Sequence, residues 1–131
     1  MTIVVGYSAD PFGRAALEHG IAEAKPRGTT LRVINATPGD AYVDAGFAQT
    51  GEVHDIEERL TSCGVEFELI QPVGVDTAKE LLKVMDDDAA ELLVIGIRHR
   101  SPVGKLLLGS VSQQLLLECP KPVLAVKPDG F

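Results

Sequence analysis

Short apolar runs alternate along this 131-residue chain with longer stretches whose apolar residues recur at helical spacing. The runs are Thr2–Tyr7, Leu31–Ala36, Val65–Ile70, Leu92–Ile97 and Val123–Val126. No other feature limits the fold as tightly. Strands that alternate with helices imply a parallel sheet with right-handed crossovers and helices on both faces. The first and fourth runs are apolar throughout, as strands buried on both faces are. Glu66 and Glu68 punctuate the third, which reads as a sheet edge where charge discourages stray pairing.

The intervening stretches carry helix punctuation. Asp10-Pro11 is an N-cap followed by a first-turn proline, and Ala15, Ala16, Leu17, Ile21 and Ala24 then recur on one face. Pro26 and Gly28 end that helix. Residues 37–50 read as a long connection. A helix over about 50–62 follows, through Val53, Ile56 and Leu60, with Gly64 as its stop. Asp76 caps a third helix carrying Ala78, Leu81, Leu82 and Met85. Asp86-Asp87-Asp88 reads as its solvated end, because consecutive helical side chains do not face one metal site. A loop over 98–108 precedes a helix over 110–118, which Cys119-Pro120 breaks. No linker, repeat or low-complexity segment interrupts the pattern, so residues 1–131 read as one domain.

Composition narrows the function classes. Hydrophobic residues make up 45% and charged residues 24%, which suits a packed core. Twelve basic against nineteen acidic residues give a net charge of −7, which disfavours a nucleic acid laid across the surface. Four Phe, two Tyr and no Trp make a base-stacking platform improbable. Cys63 and Cys119 have neither disulfide-framework nor metal-ligand spacing, and read as free thiols in a reducing compartment. Neither a signal peptide nor a membrane span is legible, so the expectation is a soluble cytoplasmic protein.

In open parallel sheets, ligands sit beyond the carboxyl ends of the strands where strand order reverses. The segment after the fourth run therefore holds the most information. Gly96 permits a close backbone approach. Gly109-Ser110 opens a helix whose free N–H groups attract an anion. Arg98, Arg100 and Lys105 lie between Glu91 and Glu118 with no acid among them. A rival explanation for Ser110 is a capping box with Gln113. His99 has no evident nucleophile or ordered partner, which favours a role in the pocket wall over general-base catalysis. Neither G-x-x-x-x-G-K-[ST] nor G-x-G-x-x-G is present. A receiver-type phosphoacceptor lacks its acid after the third strand, which ends in Gln71-Pro72. No Ser-His-Asp or Cys-His order stands out, so no catalytic or metal-ligating set is assigned.

The spacing Gly96, two residues, His99, nine residues, Gly109-Ser110 resembles the G-x2-G-x9-G-[ST] motif of the universal stress proteins, small α/β nucleotide-binding or regulatory proteins. Ile3-Val4-Val5-Gly6 through Pro11, Arg14-Ala15-Ala16-Leu17 and Cys119–Val126 look like that family's first strand, first helix and last strand. The resemblance covers the whole chain. It implies a three-layer α/β sandwich whose five-stranded parallel sheet has the order 3-2-1-4-5. It also implies a regulatory module binding ATP, or AMP or ADP, with Mg²⁺ held through the phosphates. Its alternatives are a member that acts through protein contacts alone and a slow ATP hydrolase.

Residue by residue, Ile95 and Gly96 would line the ribose and phosphate side, and Arg98 and His99 would lie along the phosphates. Gly109, Ser110, Val111 and Ser112 would cradle phosphate oxygens. Tyr7, Ser8 and Ala9 would meet adenine or ribose, and Val33 would offer backbone contacts to the adenine edge. Ser8 stands where the family's nucleotide binders usually have Asp, and His99 stands in place of the motif's second Gly. A homodimer through the last strand, about residues 121–127, is implied as well.

Overall fold

The computed structural model describes residues 1–39, 43–97 and 108–129. In chain order the elements are β1 (Thr2–Gly6), α1 (Pro11–Arg27), β2 (Thr30–Ile34), α2 (Thr50–Cys63) and β3 (Phe67–Ile70). They continue with α3 (Thr77–Met85), β4 (Ala90–Gly96), α4 (Ser110–Glu118) and β5 (Val123–Val126). The strands form one sheet in the order β3-β2-β1-β4-β5, every neighbouring pair parallel, as the family resemblance implies. From β1 the chain first builds β2 and β3 on one side, then returns to place β4 and β5 on the other. The reversal leaves a crevice between the ends of β1 and β4.

Alternation along the strands assigns the two faces. Ile3, Val5 and Tyr7 of the first run join Val33, Leu92 and Val94 against Leu17 and Ile21 of α1 and Ile56 and Leu60 of α2. Val4, Ile34, Leu93 and Ile95 point the other way, onto Ala78, Leu81 and Met85 of α3 and Leu115 of α4. The result is three layers with the sheet in the middle. Cys63 packs into the first cluster and Cys119 into the second, so the sheet separates the two free thiols.

The helix signals operate as physical chemistry demands. The Asp10 and Asp76 carboxylates accept the N–H groups of Gly13 and Lys79 at 2.9 and 3.0 Å. Gly28 and Gly64 close α1 and α2 at φ 62° and 74°, a left-handed cap that only glycine adopts without penalty. Asp86, Asp87 and Asp88 are exposed past the end of α3, and the Asp87 side chain accepts the Ala89 N–H at 2.9 Å. Among the described residues no helix is long and apolar enough to cross a membrane.

Several boundaries differ from expectation. Pro26 does not end α1 but sits inside its last turn, where its missing N–H leaves only a solvent-side carbonyl unpaired. β2 runs over Thr30–Ile34 rather than 31–36, and the Asn35 side chain just past its end donates to the Tyr7 and Gly46 carbonyls. β3 begins at Phe67 rather than Val65, and β4 runs over Ala90–Gly96 rather than 92–97. The capping box at the start of α4 does not form. Gly109 is the N-cap, with φ −64° and ψ 159°, and Ser110 is already the first helical residue.

Candidate functional site

A cavity of about 420 Å³ opens beyond the carboxyl ends of β1, β2 and β4. Gly6, Tyr7 and Ser8 form its floor from β1, and Ile95, Gly96 and Ile97 form it from β4. Ile34, Asn35 and Ala36 come from the end of β2, Asp44 and Gly46 from the turn before α2, and Thr77 and Leu81 from α3. The first turn of α1 adds Asp10, Phe12 and Gly13. Gly109, Val111, Ser112 and Leu115 enter from α4.

The starts of three helices reach this cavity, and they are not equivalent. At α1 the Asp10 carboxylate already occupies the terminus, accepting from the Gly13 N–H and from the Ser8 hydroxyl at 2.8 Å, and Pro11 has no N–H to give. At α3 the Asp76 carboxylate does the same. At α4 the N-cap is glycine, and among the described residues no side chain caps the end. The N–H groups of Ser110, Val111 and Ser112 therefore have no partner within the helix, since the helical ladder begins with Gln113 N–H to Gly109 O at 2.9 Å. The positive end of the helix dipole is left for an external anion. A Cβ built on Gly109 would meet no atom of the described residues within 4 Å.

Gly96 lines the cavity and also packs tightly against backbone. A Cβ there would lie 2.1 Å from the Phe12 carbonyl oxygen. The close approach that the sequence anticipated is to the first turn of α1, which packs directly onto the end of β4. Gly13 repeats the arrangement on the other side of that turn, where a Cβ would come within 1.8 Å of the Ser8 oxygen.

Asn35 holds the β2 side of the cavity. Its Nδ2 donates to the carbonyls of Tyr7 and Gly46 at 2.9 and 3.0 Å. Its Oδ1 accepts from the Ala48 N–H at 2.7 Å and from Gln71 Nε2 at 3.1 Å. The turn it secures carries Asp44, whose carboxylate accepts the Gly46 N–H at 2.9 Å.

The Tyr7 side chain points away, into the α1/α2 cluster, where its hydroxyl donates to Glu52 Oε1 of α2. Arg14 Nε donates to the same oxygen at 3.2 Å. The bond from Tyr7 holds the Glu52 carboxyl below its usual range, against a smaller opposing effect of burial and with help from Arg14. Burial, first, and the adjacent carboxylate push the Tyr7 hydroxyl well above its usual value, so it remains the donor. A carboxyl whose folded-state affinity for protons is depressed stabilises the fold above its unfolded pKa, near 4.3, and loses that contribution as pH falls through the folded value. Glu52→Gln is therefore expected to lower stability by about 1.5–3 kcal/mol at pH 7, the scale of a hydrogen bond to a charged group. The deficit should shrink below about pH 4. Thermal melts of both proteins across pH 3–7 check this, and a deficit that does not change with pH excludes the charged bond as its source.

The residues expected at the site divide clearly. Tyr7, Ser8, Ile95, Gly96, Gly109, Val111 and Ser112 line the cavity, Tyr7 with its phenol turned away from it into the α1/α2 cluster. Val33 does not reach it. Val33 has no exposed surface and pairs with Val5 and Leu69 inside the sheet, whereas the cavity lies past the strand ends, at Ile34–Ala36. Ala9 is also outside the lining, its N–H bonded to the Gly46 carbonyl at 2.9 Å. Ser110 is exposed at the first position of α4 and contributes its backbone rather than a lining surface. Arg98 and His99, with Arg100 and Lys105, lie outside the described residues. Asn35, Asp44 and Gly46 were missed by the sequence reading. The available signal was a polar residue directly after the apolar run Leu31–Ile34, at a carboxyl strand end.

The universal stress protein family model matches residues 1–127. A universal stress protein of Mycolicibacterium smegmatis is 76% identical, covering 98% of this chain and 99% of its own length. Among solved structures, a universal stress protein from Archaeoglobus fulgidus is 29% identical with a TM-score of 0.71, covering 97% of this chain and 98% of that one. A structure of the universal stress protein from A. fulgidus in complex with dAMP is 26% identical with a TM-score of 0.65, again covering 97% and 98%.

Proposed function

The chain belongs to the universal stress protein family, and from that premise we propose that it binds ATP or another adenine nucleotide in the cavity at the ends of β1 and β4. It acts there as a regulatory module rather than as an enzyme. The observation that carries this reading is the start of α4, which no side chain of the described residues caps, at a cavity where two other helix starts are already filled by carboxylates. The dAMP complex of the A. fulgidus relative supports it.

Charge orients the ligand. The phosphates belong at Gly109–Ser112. The carboxylates of Asp10 and Asp44 repel phosphate, so sugar and base lie toward the ends of β1 and β2. Magnesium fits only as a companion of the phosphates. Among the described residues no three His, Cys, Asp or Glu side chains come together, and one oxygen each of Asp10 and Asp44 already accepts a backbone N–H.

The proposal takes residues 1–131 as one domain and places the protein in the cytoplasm. It includes a homodimer through β5, an edge strand whose half-buried Val123, Leu124 and Ala125 would gain cover from a second copy. Native mass spectrometry of the purified protein tests ligand and assembly together. The expected species is two chains with retained adenine nucleotide, and calorimetry on the stripped protein should give a dissociation constant below 1 mM for AMP or ATP with Mg²⁺. A stripped protein that gives no heat with either at millimolar concentration overturns nucleotide binding, and a single-chain mass overturns the dimer.

A further inference from the structure

Asn35 is 1% exposed and directly follows β2. A primary amide has two N–H donors and a carbonyl that accepts twice. All four positions are used here. The donors go to Tyr7 O and Gly46 O, and the acceptor serves Ala48 N–H and Gln71 Nε2. Gln71 also donates to the Ala48 carbonyl at 2.9 Å, and the Asn35 N–H bonds to Ile70 O at 2.9 Å. One side chain thus joins four segments: the end of β1, the end of β2, the stretch after β3, and the 44–48 turn. Three of these segments line the cavity on the side away from α4.

We infer that Asn35 is a positioning residue for the base-side wall of the cavity, and that it sets the selectivity between bases without bonding the nucleotide. This rests on the proposed nucleotide reading. The polar atoms of the Asn35 side chain are already engaged, so its amide has no bond to offer a ligand. What it controls is where the backbone of Ile34–Ala36 and the Asp44–Gly46 turn stand. Bases differ in the donors and acceptors along their edges, so a backbone wall distinguishes them only while its groups are held within a few tenths of an ångström. No side chain of the same shape replaces the amide. A carboxylate accepts twice but cannot donate, and would face the Tyr7 and Gly46 carbonyls with repulsion.

The test is Asn35→Asp, with dissociation constants for AMP and GMP measured by calorimetry at a temperature where the melt shows the variant folded. The parent should prefer AMP by about tenfold or more, the scale of one hydrogen bond that a mispaired edge leaves unmade. In the variant AMP should bind at least tenfold more weakly and the AMP/GMP ratio should fall toward one. A general loss of folded protein weakens both ligands equally and leaves the ratio intact, so the ratio separates positioning from stability. Should Asn35→Asp not fold, Gln71→Met removes only the bonds to Asn35 Oδ1 and Ala48 O, and should shift the ratio in the same direction by a few fold. A parent that binds both bases equally, or variants that keep the parent's ratio, overturn the assignment of Asn35. A parent that binds neither nucleotide overturns the nucleotide reading itself, and this inference with it.

Discussion

Gly109→Val is expected to abolish nucleotide binding while leaving the fold intact. Gly109 has φ −64° and ψ 159°, a conformation open to any L-residue, so the substitution brings no backbone strain. A Cβ there has no neighbour within 4 Å among the described residues, so valine meets none of them. The branched methyls instead occupy the space in front of the Ser110, Val111 and Ser112 N–H groups, where the phosphates are proposed to sit. A displaced phosphate loses several charge-assisted hydrogen bonds together, each worth about 1.5–3 kcal/mol. The dissociation constant for AMP or ATP should therefore rise at least a hundredfold. The loss of a glycine N-cap should cost about 1 kcal/mol or less, a few degrees in Tm. Calorimetry and a thermal melt on the same preparation read both quantities. A variant that binds as tightly as the parent would move the phosphates away from α4.

Gly96→Ala and Gly13→Ala should do the reverse, collapsing the fold. The added Cβ atoms would lie 2.1 Å from the Phe12 carbonyl oxygen and 1.8 Å from the Ser8 carbonyl oxygen. Both neighbours are backbone, so no rotamer change relieves the overlap. α1 must move off the end of β4, or out of the turn that follows β1. Either movement opens the cluster that α1 shares with the sheet through Leu17, Ile21 and Ala24. A loss of about 4 kcal/mol or more per variant is expected, at the far end of the range for point substitutions. That is much of the 5–15 kcal/mol by which domains of this size are usually stable. Urea titration should show midpoints lower by about 2 M, for a slope of about 2 kcal/mol per molar. Midpoints within 0.5 M of the parent would mean that α1 shifts without loss of packing. The contrast with Gly109 is informative. All three glycines line the same cavity, yet two meet backbone of the scaffold and one meets no described residue within 4 Å.

Most of the architecture is legible before any coordinates. Apolar runs such as Ile3-Val4-Val5 and Leu93-Val94-Ile95 leave no alternative to central strands, because neither face of them tolerates water. Asp10-Pro11, Asp76 and Gly64 mark helix ends through local hydrogen bonds and local backbone preference, so neighbouring residues suffice to predict them. The start of α4 shows the limit of such reasoning. S-x-x-Q fits a capping box, but Gly109 takes the N-cap and Ser110 begins the helix. That one-residue difference leaves the terminus without a cap from the Ser110 side chain.

The site is legible where it coincides with a motif. Gly109, Val111 and Ser112 carry a spacing that announces a helix start after a strand, and they line the cavity as expected. Val33 misled because a strand residue's face can be inferred from alternation, but its distance from the strand end depends on where pairing stops. Asn35 was invisible for a further reason. Its partners Tyr7, Gly46, Ala48 and Gln71 lie 28, 11, 13 and 36 positions away.

The sequence alone determined the layers, the strand order through its family resemblance, and the helix start after the fourth strand. These depend on periodicity, local capping and a linear motif. Only the tertiary structure decided which of the cavity's glycines pack against backbone and which does not, and which polar residue secures the cavity wall. Those distinctions depend on what each residue meets across the sheet, and such contacts join positions that no local pattern relates.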